Sequence, residues 1–225
     1  MNHDLDQPVW ASLQHQPHWA DGGALARRFK PDINRFAAAR DDGAASLAAL
    51  AELVRPGDDV VYLAQSRPVA VPPGLVAVKT AAAVQMVAMR AVEGDEAGMQ
   101  LLGDADAAEM LALATLTEPG PFLPRTHTMG RFVGIRIDGR LAAMAGERMR
   151  FPGFVEVSGV CTHPDFRGRG LARRMSAAVT ADIQRRGAQA FLHAWATNTA
   201  AIALYESLGF VTRTAMNIAV LKRQG

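Results

Sequence analysis

The stretch V-E-V-S-G-V-C-T-H-P-D-F-R-G-R-G-L-A-R-R-M-S-A-A, from Val155 to Ala178, decides how this 225-residue chain is read. Val155 to Thr162 is apolar and β-branched, the pattern of a buried strand. Pro164 ends it, because proline lacks a backbone donor and restricts His163 before it. From Leu171 the period changes. Leu171, Met175, Ala178, Val179 and Ile183 fall on one helical face, so a helix is expected over Leu171 to Arg186. Strand and helix are joined by Arg167-Gly168-Arg169-Gly170.

That junction is built for an anion. The first turn of a helix has backbone N–H groups without intrahelical partners, and the helix dipole is positive there. Gly168 and Gly170 allow positive φ and a close approach of backbone to ligand. Successive N–H groups then form a nest for phosphate oxygens, and Arg167 and Arg169 add fixed positive charge. The expected ligand carries a diphosphate. The dinucleotide fingerprint G-x-G-x-x-G fails at Arg173, and no lysine followed by Ser or Thr follows Gly170 as a phosphate loop requires.

The pattern that does fit is R-x-x-G-x-A, at Arg167, Gly170 and Ala172. It resembles the coenzyme-A pyrophosphate motif of the GNAT superfamily of N-acetyltransferases. V-C-T-H-P before it and N-x-x-A-x-x-L-Y-E-S-L-G-F after it, from Asn198 to Phe210, are similar to that family's cofactor-side blocks. The resemblance covers roughly residues 85 to 222. It implies acetyl-CoA as co-substrate, with no metal, and a cofactor site made of Val160, Cys161, Thr162, Arg167, Gly168, Arg169, Gly170, Leu171, Ala172 and Asn198. It also implies that the N–H of Val160 meets the acetyl carbonyl and that Thr162 pairs with the pantetheine arm. A β-bulge near Ser158-Gly159 would suit this, since glycine inside a strand often marks one.

Acetyl transfer to an amine needs a neutral nucleophile, a donor for the oxyanion and a proton for the departing thiolate. Glu156, eleven positions before Arg167, has a spacing similar to the catalytic glutamate of histone-acetylating members. It is the base candidate, with Glu147 second, against the alternative of a solvated or loop-ordering strand glutamate. Tyr205 stands in the block where the family places its thiolate-protonating tyrosine, against the alternative of a core aromatic. Cys161 follows an apolar run and reads as a buried small hydrophobe in preference to a nucleophile. His163 and His193 read as structural. His15 and His18 have no second ligand pair, and no zinc spacing is present.

The rest of the chain sets bounds. Apolar residues make up 49% and the formal net charge is +2, a globular composition too weakly basic to argue for nucleic acid. No apolar run approaches the ~18 residues that span a bilayer, so no membrane association is expected. Met1 to Trp19 lacks the features of a secretory signal. The single cysteine fits a reducing compartment, and cytoplasm is the expected location.

Residues 1–80 are expected to form an N-terminal accessory α/β region, or a worn copy of the same fold, with a helix over Ala44 to Val54 and strands at Val60 to Ala64 and Leu75 to Val78. Met1 to Gly23 reads as a loop. Residues 81–225 are expected to form the acetyltransferase domain. Its first strand is Gln85 to Val92, followed by a helix opened near Leu101 to Glu109 and capped by Asp104 or Asp106, the latter in a capping box with Glu109. A loop holding Phe122, Arg125 and His127 follows, with Phe122 a candidate for the acceptor pocket. Asp138-Gly139 turns a hairpin between Phe132 to Ile137 and Leu141 to Met149. Ala190 to Ala196 is a strand. Asn198 or Thr197 caps a helix over Thr199 to Leu208, and Phe210 to Thr214 and Ala215 to Leu221 form a last hairpin.

The fold class is α/β, a mixed and largely antiparallel sheet flanked by helices. The function expected from the resemblance is acetyl-CoA-dependent N-acetylation of a small-molecule or peptide amine. The alternative is a non-catalytic acyl-CoA sensor. Monomer or homodimer is left open.

Overall fold

The computed structural model describes residues 3–57 and 59–224. Eight strands form one sheet in the order β4-β11-β5-β10-β9-β8-β7-β6, and a separate small sheet has the order β1-β2-β3. In the large sheet β4 is Val60–Gln65, β5 Leu75–Ala88, β6 Gln100–Leu102, β7 Phe132–Ile137, β8 Arg140–Phe151, β9 Phe154–Thr162, β10 Gln189–Trp195 and β11 Phe210–Arg223. All neighbours run antiparallel except β9 and β10. The small sheet holds β1 (Ala20–Gly22), β2 (Ala26–Phe29) and β3 (Ala37–Ala39). This is the mixed, largely antiparallel α/β fold that the motif order leads one to expect.

Helix α4, Leu171–Arg185, covers one face of the sheet through the residues its periodicity selects. Leu171, Met175, Val179 and Ile183 are buried against Val155, Val157, Leu192 and Phe210. Each such side chain contributes about 1.5–3 kcal/mol when fully buried. Gly187, at φ 78°, ends the helix. Helix α5, Thr199–Ser207, packs on the same cluster. The opposite face carries α3, Ala107–Thr117, whose Met110 and Leu113 meet Phe132, Met144 and Cys161. Beyond it lies the N-terminal segment. Helix α2, Ala44–Glu52, packs over β3, β4 and β11 through Leu50.

Several local expectations needed the fold to correct them. Met1 to Gly23 is not a loop over its described part: Pro8–His15 forms helix α1. Its residues from Pro8 to Leu13 are all buried, so no amphipathic period marks it. Leu75 to Val78 and the strand expected from Gln85 are one fourteen-residue strand, β5, because no Gly or Pro interrupts them. Residue 80, where the sequence placed a domain boundary, lies inside this strand, and β4 extends the same sheet. The expected last hairpin is likewise one strand, β11, with a bulge between Thr212 and Thr214. Leu101 and Leu102 belong to strand β6 and not to a helix. Asp106 bonds the Gly103 N–H at 3.1 Å, while Glu109 instead bonds Arg136 and the Leu141 N–H, so the two do not form a reciprocal cap. The Asp138-Gly139 hairpin forms as expected, with both residues at positive φ.

Candidate active site

β9 and β10 pair only from Phe154 to Glu156 against Gln189 to Phe191. Past that point β9 stays with β8 as far as Thr162, and β10 stays with β5 as far as Trp195. The two strands therefore splay, and a cleft of about 720 Å³ opens between them. Val157 to Thr162 line one wall and His193 to Trp195 line the other. The register between β8 and β9 slips between Met144 and Gly146, leaving Gly159 and Val160 as the bulge. Gly159 has φ 62°, a conformation that glycine adopts without a Cβ penalty. The bulge stands where the glycine in the strand suggested it.

One end of the cleft is the Gly-rich turn. Arg167, Gly168, Gly170, Leu171 and Ala172 line it, together with Val160, Cys161, Thr162 and Asn198. Gly168 and Gly170 have φ 76° and 71°, and a Cβ at either would meet no atom within 4 Å. The backbone here faces open space. Arg167 makes no hydrogen bond or ion pair with a described side chain, which leaves its guanidinium available. Arg169 differs: it stacks over Phe166 at 5.2 Å and does not line the cleft. Thr162 Oγ1 is buried and has no hydrogen-bond partner. Such a group costs stability unless something satisfies it, so this atom fits a ligand with polar groups along the arm. Asn198 caps α5, its Oδ1 accepting from the Ala201 N–H at 3.1 Å, which decides between it and Thr197.

Tyr205 also lines the cleft, with its ring edge-on to Phe210 at 5.9 Å. Burial pushes its hydroxyl up to about 12, so it holds its proton throughout the neutral range. Cys161 is buried at 2% exposure, and burial pushes its thiol up to about 12. A thiol held that far from ionisation is a poor nucleophile.

Glu156 stands elsewhere than its motif spacing suggests. It is 0% exposed and lies beneath the cleft, not on its lining. Its Oε2 accepts from Arg148 Nε at 2.8 Å, and its Oε1 accepts from Arg148 Nη2 at 2.6 Å and from His193 Nδ1 at 2.7 Å. Burial alone would raise its pKa, but the Arg148 guanidinium and the His193 contact overcome that and hold it at about 2. A carboxylate so placed has no lone pair turned toward the cleft and little basicity. The second choice, Glu147, is also buried, clamped by Arg150 and Arg186.

The proton on His193 is placed by its neighbours. Gln85 Nε2 donates to the Leu5 carbonyl at 2.8 Å and to His193 Nε2 at 3.1 Å, while Gln85 Oε1 accepts from Arg213. That leaves the proton on Nδ1, donated to Glu156. A polar chain thus runs from Asp6, through Arg213, Gln85, His193 and Glu156, to Arg148.

Residues that carried no motif complete the cleft. Phe36, Tyr62, Arg148, Trp195 and Ile218 line the end away from the Gly-rich turn. Glu118 lies at the rim and is the one carboxylate among the described residues lining either this cleft or the cavity beside it. It has φ 49°, uncommon for a residue with a side chain, and that left-handed cap before Pro119 is hidden in the sequence. Phe122 packs edge-on to Phe132 at 5.7 Å and borders the adjoining cavity, not the main cleft. Arg125 pairs with Asp32 at 2.9 Å and His127 with Asp104 at 2.7 Å, both as anchors between segments. His163 Nδ1 accepts from the Asp165 N–H, a turn-capping role.

Among the described residues no helix is long and apolar enough to cross a membrane. An FR47-like protein family model matches residues 132–218. No curated protein matches the chain. Among solved structures, a GNAT-family protein from Novosphingobium aromaticivorans is 45% identical, with each chain covered over 100% of its length and a TM-score of 0.94. A GCN5-related N-acetyltransferase from Kribbella flavida is 21% identical, covering 96% of this chain and 94% of its own at a TM-score of 0.64. A GCN5-related N-acetyltransferase-like protein from Streptococcus suis is 14% identical, covering 98% and 96% at a TM-score of 0.57. The last two share the fold; the first, alike over its full length, shows that the chain belongs to the GNAT family of acetyltransferases.

Proposed function

We propose that the chain transfers an acetyl group from acetyl-CoA directly to the primary amine of a small molecule or peptide, in the cytoplasm. The observation that carries this reading is the continuity of the cleft: Arg167, Gly168 and Gly170 to Ala172 of the turn, the β9 wall and Tyr205 line one cavity. In it, Arg167 and the N–H groups opening α4 receive a diphosphate. Thr162 Oγ1 and Asn198 bond the amide-bearing arm. Bound there, acetyl-CoA supplies the activated acetyl thioester.

The chain's own groups divide the remaining work. The backbone N–H of Val160, within the bulge, would face the acetyl oxygen and steady the charge that develops there. Glu118 receives the proton of the incoming ammonium, directly or through water. As the new N–C bond forms and the C–S bond breaks, the nitrogen gives up its second proton to solvent water, and Tyr205 gives its own proton to the departing sulfur and regains one from solvent. Glu156 acts at one remove, fixing Arg148 and His193 on the cleft wall. The N-terminal segment contributes Phe36 and Tyr62 to the acceptor end and holds no cofactor site of its own.

Gly170→Glu tests the cofactor site. Gly170 is at φ 71°, so any side chain is strained there, and the carboxylate enters a site shaped for diphosphate. Calorimetry should show one acetyl-CoA bound per wild-type chain and none in the folded variant. Unchanged affinity, or two sites per chain, would refute the assignment.

A further inference from the structure

The end of the cleft away from the Gly-rich turn is both aromatic and cationic, and the cation there is incompletely used. Arg148 is buried at 8% exposure, with Nε and Nη2 committed to Glu156. Its Nη1 has no hydrogen bond to a described residue, yet Arg148 lines the cleft and its guanidinium lies 5.0 Å over the Phe36 ring. Nη1 is open to the cleft, and its two free N–H groups suit an acceptor atom from a ligand bound there.

Around it stand Phe36 and Tyr62, edge-on at 5.9 Å, and Trp195 and Ile218. These walls take a flat or apolar body. A second cavity of about 620 Å³ shares Tyr62, Trp195, Ile218 and Glu118 with the cleft and adds Arg35 and Lys79, neither of which forms an ion pair with a described residue. Leaving aside Arg167 and Arg173 at the Gly-rich turn, three cations and one carboxylate line the two cavities. Even with Glu156 beneath Arg148, the surplus is positive, which favours an anionic acceptor over a polycationic one. Glu118 is left as the group that meets the amine.

Building on the reading of the cleft as an acetyl-transfer site, we infer that the acceptor is a small amine with an aromatic or bulky apolar body and a carboxylate, the carboxylate bonding Nη1 of Arg148. Aromatic amino acids are the class with these three features.

The test compares four acceptors on the wild-type chain: phenylalanine, phenylalaninamide, 2-phenylethylamine and glycine. Acetyl-CoA binding is first established by calorimetry, so that loss of the cofactor site and loss of this inference are separable. Phenylalanine should exceed phenylethylamine and glycine in kcat/KM by about tenfold or more, with the amide between, since a charge-assisted bond and an aromatic contact are each missing from one comparator. Arg148→Lys keeps a cation for Glu156 and removes the nitrogen that faces the cleft. It should raise KM for phenylalanine about tenfold and leave KM for phenylethylamine unchanged. If phenylethylamine equals or exceeds phenylalanine, if Arg148→Lys raises both KM values alike, or if none of the four is acetylated by a chain that binds acetyl-CoA, the inference is overturned. Should Arg148→Lys fail to fold, the comparison on the wild type still decides.

Discussion

The two ends of the cleft are made differently. The cofactor end is local: one strand, one turn and one helix, continuous from Phe154 to Arg185, supply most of it, and α5 adds the rest. The acceptor end is assembled from Phe36 before β4, Tyr62 on β4, Arg148 on β8, Trp195 on β10 and Ile218 on β11, residues up to 182 positions apart (218 − 36). A diphosphate needs backbone N–H groups in fixed array, which a short contiguous turn provides. A particular acceptor needs walls whose chemistry can vary without disturbing that turn, and distant segments provide those. The difference predicts separable phenotypes.

The largest effect on rate, with binding preserved, belongs to the cofactor end. Tyr205→Phe keeps the ring against Phe210 and removes the proton donor, so turnover should fall by about 100- to 10,000-fold with acetyl-CoA affinity unchanged. Because its hydroxyl is pushed up to about 12, the wild-type rate should show no alkaline fall from this group below about pH 11. A Tyr205→Phe variant with wild-type turnover would remove it from the chemistry.

Glu156→Gln sits between the two ends and should act on stability first. It leaves the Arg148 charge buried without its partner, a loss of about 3–5 kcal/mol. The sign of the pH effect follows from its depressed pKa. The stabilisation is present above the unfolded-state value near 4.5 and is lost as pH falls toward about 2. Denaturant titration of both chains at pH 7 and pH 3 measures it. Equal stability at pH 7, with a rate limb that disappears on mutation, would restore Glu156 as the base.

The smallest effect belongs to the acceptor wall. Tyr62→Ala removes one aromatic contact and should raise the acceptor KM by about tenfold while leaving acetyl-CoA affinity intact. A parallel fall in acetyl-CoA affinity would show that the ends are not independent.

Much of the fold was legible because its signals are local. The strand-to-helix change at Val155 to Ala178, the Asp138-Gly139 turn and the stop at Gly187 each depend on a few neighbouring residues. Where several alanines hid the alternation, as in β5, or where burial on all sides erased the period, as in α1, the elements were misread. Asn198 and the bulge at Gly159 were within reach, since a cap and a strand glycine have known local meanings.

By itself, then, the sequence determined the Gly-rich strand-to-helix turn, the class of sheet and the placing of Tyr205 on the helix after Asn198. Only the tertiary structure could decide that Glu156 lies under the cleft, locked to Arg148 and His193, because a strand residue's face depends on which neighbours cover it. The same holds for Phe36, Tyr62 and Arg148. They line one cavity although four strands separate β4 from β8 in the sheet, a long-range arrangement that no local spacing records.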